Sequence, residues 1–329
     1  MSMARLLGAL TVAVFLSLPG CDQTPQTLEF AGSTMGTSYS VILPRPPAGV
    51  DASLQQEVDA LLAEINQQFS TYIEDSELNS FNASPLSEWV SASAGMLEIT
   101  QLSIDILQQS QGAFDPTVGP LVRLWGFGPD QRPTDYPEPE QIDALMPALG
   151  MRGIEVDNDA GRMRRTTDLE LDYSAIAKGY AVDKVAGLLA ASGVSEFLVE
   201  IGGEILVQGH NPRDQPWRLA IERPDGSIGY PFRALNVTDA AVATSGEYRN
   251  HYDLAGHRVS HTLNPLTGRP IAHDGRSVTV IAESATAADA WATALNVLGP
   301  AEGYELAREL DLAAFFIYQG PEGLEARFT

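Results

Sequence analysis

The sequence predicts an α+β fold, and three observations carry that reading. Several segments repeat apolar residues at helical spacing, most clearly Leu54, Val58, Leu61, Leu62, Ile65 and Phe69. Short strand-like segments sit next to one another around turn residues, as at residues 197–201 and 204–207 about Gly202-Gly203. The chain also lacks the βαβ regularity and the Gly-rich turn of a dinucleotide-binding unit.

The elements follow in order. Residues 28–30 lead into Gly32-Ser33-Thr34-Met35-Gly36-Thr37, and residues 38–43 are extended. A helix covers 54–69 with Ser53 as its N-cap, and a second runs near 94–110 and stops at Gly112. Residues 129–147, rich in Pro and acidic side chains, predict a surface loop with one short helix. Asp157-Asn158-Asp159-Ala160-Gly161 predicts a hairpin turn. Leu171 and Asp172 close an extended segment, and from Ser174 the residues Ile176, Tyr180, Val185, Leu188 and Leu189 take helical spacing. A strand at 277–281, helices at 286–298 and 302–310, and a strand at 313–318 complete the domain, with no internal repeat.

With 329 residues the chain suits one large domain or two small ones, with core enough to be stable without cross-links. Its 20 basic and 43 acidic residues give a net charge of −23, which argues against nucleic acid and anionic membrane surfaces as partners. An anionic substrate therefore needs a local positive site or a metal ion. The sole cysteine, Cys21, excludes an internal disulfide and a cysteine-based zinc site. Arg5 precedes the apolar residues 6–18, and this stretch of 13 residues is shorter than the ~20 that span a bilayer. The end, Leu18-Pro19-Gly20-Cys21, resembles a bacterial lipoprotein signal. That resemblance implies a signal peptide at 1–20, lipidation of Cys21 and a short tether at 21–27, with Asp22 favouring retention in the inner membrane; an ordinary cleaved signal or an uncleaved anchor is the alternative.

Five islands carry the chemistry. Gly32-Ser33-Thr34-Met35-Gly36-Thr37 exposes backbone and offers Met35 as a soft apolar surface for a flat ring. In Ala113-Phe114-Asp115-Pro116-Thr117-Val118-Gly119-Pro120-Leu121 an aromatic and a carboxylate stand side by side on a constrained backbone. The run from Leu171 to Asp183 puts Asp172, Lys178 and Gly179 at the start of a helix, where an anion can dock; an ordinary helix capped by Asp172 or Ser174 stays open beside that reading. Ser260-His261-Thr262-Leu263-Asn264-Pro265 supplies a histidine suited to proton transfer near neutral pH, with His251 and His257 as competitors. Asp289 and Thr293, four apart on a helix, present oxygens on one face, as a hard cation such as Mg²⁺ requires. Helix-start Asp and Thr back-bonding to its own i−4 carbonyl are the structural alternative.

Together, and in this order, the islands resemble the ApbE family of FAD:protein FMN transferases, from about Phe30 to the C-terminus. The resemblance implies one catalytic domain, 28–329, of mixed or antiparallel sheets with flanking helices, acting with Mg²⁺ and with FAD as substrate. It implies transfer of FMN from FAD to a threonine hydroxyl of an acceptor protein, with release of AMP. The family's acceptors are subunits of membrane redox complexes such as sodium-pumping quinone reductase and the Rnf complex. A lipid-anchored enzyme on the periplasmic side of the inner membrane fits that location.

Carried over residue by residue, Met35, Tyr72, Ala113, Phe114, Asp115, Asp172, Lys178 and Leu263 would bind FAD. Ala175, through its carbonyl, Asp289 and Thr293 would bind the metal, and His261 would accept the threonine proton. Lys178 stands where several relatives carry Glu, and Ala292 where some carry a second Asp. Two alternatives share these residues: an FAD pyrophosphatase that uses water as nucleophile, and a flavin-binding lipoprotein without activity.

Overall fold

The computed structural model describes residues 27–127, 133–225, 230–246, 251–254 and 257–329. The signal segment, Cys21, and Glu247, Tyr248 and Arg249 beside the histidine island lie outside the described residues. The N-terminal strands β1 (Leu28–Thr34) and β2 (Thr37–Leu43) form a hairpin closed by Met35 and Gly36 alone. Both turn residues have positive φ, 49° and 73°, as so tight a connection demands. For Met35, which carries a Cβ, that conformation is unfavourable.

Helix α1 (Ser53–Phe69) buries Leu54, Val58, Leu62, Ile65 and Phe69, as the periodicity predicts. Its N-cap is Ala52 and not Ser53; the Asp51 carboxylate accepts the Ser53 N–H at 2.8 Å and supplies the missing cap chemistry. Then come α2 (Glu77–Asn82), β3 (Val90–Ser91) and α3 (Ala94–Gln109), the last capped by Ser93 Oγ on the Met96 N–H. The Pro-rich segment holds α5 (Pro139–Leu145) after the short α4 (Gly119–Leu124), and the Asx-rich turn joins β4 (Ile154–Asp157) to β5 (Arg162–Arg165).

Helix α6 (Ala177–Ala191) starts three residues later than the spacing from Ser174 predicts, with Ile176 at its N-cap and no side-chain cap. Neither Asp172 nor Ser174 caps it. Asp172 Oδ1 instead accepts the Ser174 N–H at 2.8 Å and its hydroxyl at 2.5 Å, closing a local turn.

The second half is strand-rich: β6 (Phe197–Ile201), β7 (Glu204–Gln208), β8 (Trp217–Glu222), β9 (Pro231–Val237) and β10 (Ala240–Gly246). It continues with β11 (His251–Leu254), β12 (His257–Ser260), β13 (Leu263–Asn264), β14 (Arg269–Pro270), β15 (Gly275–Ala282), α7 (Ala285–Glu309), β16 (Ala313–Gly320) and β17 (Gly323–Phe328).

Eight strands form one antiparallel sheet in the order β1-β2-β6-β7-β10-β15-β16-β17. Helices α1, α6 and α7 cover one face, where Val41, Val199, Ala241, Ala243, Val278 and Val280 join the main core. Each valine contributes roughly 1.5–3 kcal/mol on full burial, and each alanine less. The β8–β9 hairpin covers part of the other face: Trp217, Leu219 and Ile221 alternate with exposed Arg218, Ala220 and Glu222 and pack on Val207, Val242 and Ile317. This hairpin and the last strand are additions to the sequence reading.

The two predicted C-terminal helices are both present: the span α7 is broken at Gly299, whose φ of 77° and ψ of 179° are not helical. Pro300 has no N–H to give to the Asn296 carbonyl, and His273 takes its place: Nε2 lies 2.7 Å from that oxygen while Nδ1 accepts the Gly275 N–H at 3.1 Å. The ring nitrogens thus have fixed roles, Nε2–H donating and Nδ1 accepting.

Candidate active site

The α6–α7 crossing sets the site. Gly179 is required there: a Cβ would lie 2.2 Å from the Ala285 carbonyl oxygen and 2.9 Å from Asp289 Cβ. The glycine thus admits a backbone, not a ligand. Asp183, one turn on, accepts the Ala285 and Thr286 N–H groups at 2.8 and 2.9 Å and also the Thr286 hydroxyl, so α6 caps α7 at its positive end.

With Ile176 as N-cap, the Gly179 N–H is one of the α6 N-terminal donors that has no acceptor within the helix, and it donates to Asp289 Oδ2 at 3.0 Å. Among the described residues no donor takes the Ala175 carbonyl. Asp289 is buried, with 5 % exposure, and Thr293, one turn on, makes no side-chain hydrogen bond among the described residues, so the back-bonding alternative is not realised. A buried carboxylate, a backbone carbonyl without a donor and a hydroxyl without a hydrogen bond are the hard oxygens that Mg²⁺ takes, and the chemistry of these residues fits the ion.

A buried charge cluster adjoins them. Lys178 Nζ is 3.5 Å from Asp289 Oδ2 and 3.2 Å from Glu204 Oε1. The side chains of Glu204 and Asp289 are 4 % and 6 % exposed, and that of Lys178 is 29 % exposed. Burial pushes the Glu204 carboxyl up to about 8, with the Asp289 charge adding to the rise and Lys178 opposing it. Burial acts to lower the Lys178 pKa, but the Asp289 and Glu204 charges outweigh it and hold the ammonium above its ordinary value. Glu204 Oε2 is buried without a hydrogen-bond partner.

The other islands converge on this crossing. Gly202, with φ 64° in the β6–β7 turn, lies under the first island: a Cβ there would be 2.9 Å from Thr37 Cγ2 and 3.3 Å from Lys178 Cδ. The second island joins the third, because the Pro116 carbonyl accepts the Asp172 N–H at 2.7 Å and Gly119 abuts Asp172. Asn82 clamps the adjoining Leu171 peptide through both its amide atoms, each at 2.9 Å.

Asp115 Oδ1 accepts the Thr117 N–H at 2.9 Å and hydroxyl at 2.6 Å; burial raises its pKa against these two bonds. Ala113 packs with Ile271 and Val297 of α7, and Phe114 enters the main core, so both are buried. Leu263 is buried with Leu121, Trp125, Ile142, Tyr252, Leu254 and Val259 in a satellite core. His261 stands just before it, half-buried, its ring edge-on to Phe127 at 6.3 Å.

Tyr72 is the residue least drawn in. Its ring is 71 % exposed on the loop after α1, which Asn79 grips through the carbonyls of Thr71 and Ile73. That loop follows Phe69, which packs edge-on against Tyr173 and Tyr180 of the third island. Met35 is half-buried and packs against the main core.

The ApbE family model matches residues 35–316. The chain belongs to the ApbE family. The FAD:protein FMN transferase of Escherichia coli K12 is 40% identical over 318 residues, covering 93% of this chain and 90% of that protein. The solved flavin transferase ApbE of Vibrio cholerae superposes with a TM-score of 0.85 at 38% identity, covering 92% of this chain and 97% of that one. The apo flavinyl transferase ApbE of Pseudomonas stutzeri gives 0.84 at 38% identity, covering 92% and 95%.

Within this ApbE fold, sequence reasoning missed Glu204 and Asp183. The signal for Glu204 is a carboxylate opening an otherwise apolar strand, Glu204-Ile205-Leu206-Val207, directly after a two-glycine turn. Asp183 carried no separate signal, because its partners, Ala285 and Thr286, are about a hundred residues away.

Proposed function

We propose that this chain transfers the FMN part of FAD to a threonine hydroxyl of an acceptor protein in a Mg²⁺-dependent reaction. One observation carries the reading: the buried Asp289 carboxylate is held at the start of α6 by the Gly179 N–H, next to the Ala175 segment. Among the described residues no donor takes the Ala175 carbonyl, and the Thr293 hydroxyl, one helical turn from Asp289, makes no hydrogen bond. Storage of a flavin needs no such donor set, whereas opening a pyrophosphate does. The relatives bear the transferase name over nearly their full length.

In the proposed reaction the threonine oxygen forms a bond to the FMN phosphorus, and the bond from that phosphorus to the bridging oxygen breaks. AMP leaves with the bridging oxygen and its electron pair, and His261 accepts the threonine proton. Asp289, Thr293 and the Ala175 carbonyl would hold Mg²⁺, which supplies positive charge to the pyrophosphate oxygens.

The chain's own residues do the positioning. Met35 and Tyr72 offer surfaces for the flavin ring, and Leu263 packs beside it. Ala113, Phe114 and Asp115 line the FAD site on a backbone fixed by Thr117. Asp172, clamped through its neighbours by Asn82 and Pro116, and Lys178 complete the FAD-binding set. Holding the reactants in line supplies much of the rate enhancement in such transfers.

The location follows the same reading. A lipid on Cys21 would tether the enzyme to the periplasmic side of the inner membrane, where subunits of sodium-pumping quinone reductase or Rnf complexes would be acceptors. Among the described residues no helix is long and apolar enough to cross a membrane. The test is AMP release from FAD with Mg²⁺, with and without a redox-subunit domain as acceptor. Release that requires both acceptor and metal supports the transferase. Equal release without acceptor contradicts it in favour of hydrolysis.

A further inference from the structure

The Lys178–Glu204–Asp289 cluster contains more than a metal site needs. Lys178 Nζ reaches one oxygen of each carboxylate, at 3.2 Å for Glu204 Oε1 and 3.5 Å for Asp289 Oδ2. Glu204 Oε2 is buried and unpartnered, although the Glu204 side chain is only 4 % exposed. A buried oxygen without a donor is unfavourable, so a structural ion pair would be expected to satisfy it. The ammonium has three donors on a flexible stem, and a small shift away from Asp289 would bring it onto both Glu204 oxygens. That shift also removes a positive charge from the carboxylate that a divalent cation would take.

We propose that Lys178 stands in for the cation at Asp289 and that Glu204 is the positioning residue that receives its ammonium when Mg²⁺ takes Asp289. Glu204 touches neither the ion nor the substrate in this scheme; it acts through Lys178. Gly202, itself against Thr37, abuts the Lys178 stem at Cδ, so the stem is confined while the ammonium moves between the two carboxylates. The proposal rests on the Mg²⁺ assignment made above, and the test separates the two.

Mg²⁺ is titrated calorimetrically into the FAD-free full chain. Wild type is compared with Glu204→Gln, Lys178→Met, the double variant and Asp289→Asn, each checked by its melting curve. Glu204→Gln should weaken Mg²⁺ binding at least about tenfold, because the ammonium then stays on Asp289. Lys178→Met should bind at least as tightly as wild type, and the double variant should recover wild-type affinity or better. Lys178→Gln replaces Lys178→Met if that variant does not fold. Glu204→Gln binding within twofold of wild type overturns the proposal, as does a double variant as weak as Glu204→Gln alone. Undiminished binding by Asp289→Asn overturns the metal assignment itself, and the proposal with it.

Discussion

Gly179 gives its backbone N–H to Asp289 Oδ2, 3.0 Å away on another helix. One missing side chain thus sets the approach of α7 and lets the start of α6 hold the buried Asp289 carboxylate.

Gly179→Ala should therefore lower stability and activity together. The added methyl meets the Ala285 carbonyl oxygen at 2.2 Å, and backbone cannot step aside as a side-chain tip can. Overpacking of this kind costs about 1–3 kcal/mol, to be read from urea denaturation. A variant with wild-type stability and turnover would contradict this account of the crossing.

Asp289→Asn is nearly isosteric and retains an acceptor for the Gly179 N–H. The fold should survive, while Mg²⁺-dependent AMP release should fall by at least about 100-fold, given that metal charge stabilisation is worth several kcal/mol. The check is initial rate against Mg²⁺ concentration beside a melting curve.

His261→Ala should depress turnover by about 10²–10⁴-fold, the usual range for a positioned acid or base, and leave FAD affinity within a few-fold. Flavin fluorescence titration and turnover on the same preparation separate the two. Equal losses in both would make His261 a binding residue.

Glu204 gives a signed pH dependence. Its carboxyl sits at about 8 in the folded protein, above the ordinary value of ~4.3 of an unfolded chain. Between those values the folded state holds a proton that the unfolded state has lost, so this group's contribution to stability declines as pH rises from about 4.3 to 8. Glu204→Gln lacks that titration. Metal-free melting temperatures should show the variant gaining on wild type across the window and holding a constant gap above it; a gap independent of pH would contradict the assignment.

The parts legible in the sequence were those whose cause is local. Helix α1 could be read from its own apolar stripe, and the β6–β7 hairpin from Gly202-Gly203 between two apolar runs. The joint order of the islands also brought Asp289 and Thr293 to notice, though neither is distinctive alone. What escaped has distant causes. The Gly299-Pro300 pair reads as a helix end and the backbone does break there, but the His273 ring that donates to the Asn296 carbonyl comes from outside the helix and could not be read. The acceptor of the Gly179 N–H at the start of α6 is Asp289, 110 positions on in sequence. Glu204 becomes interpretable only once Lys178 lies against it.

The most direct measurement is the intact mass of a candidate acceptor domain after incubation with the full chain, FAD and Mg²⁺, followed by mapping of the modified residue. The account predicts one FMN-sized addition on a threonine, with AMP released in equal amount and both abolished by EDTA. FMN and AMP released with no addition to any redox-subunit domain tried, or FAD recovered unchanged, would contradict it.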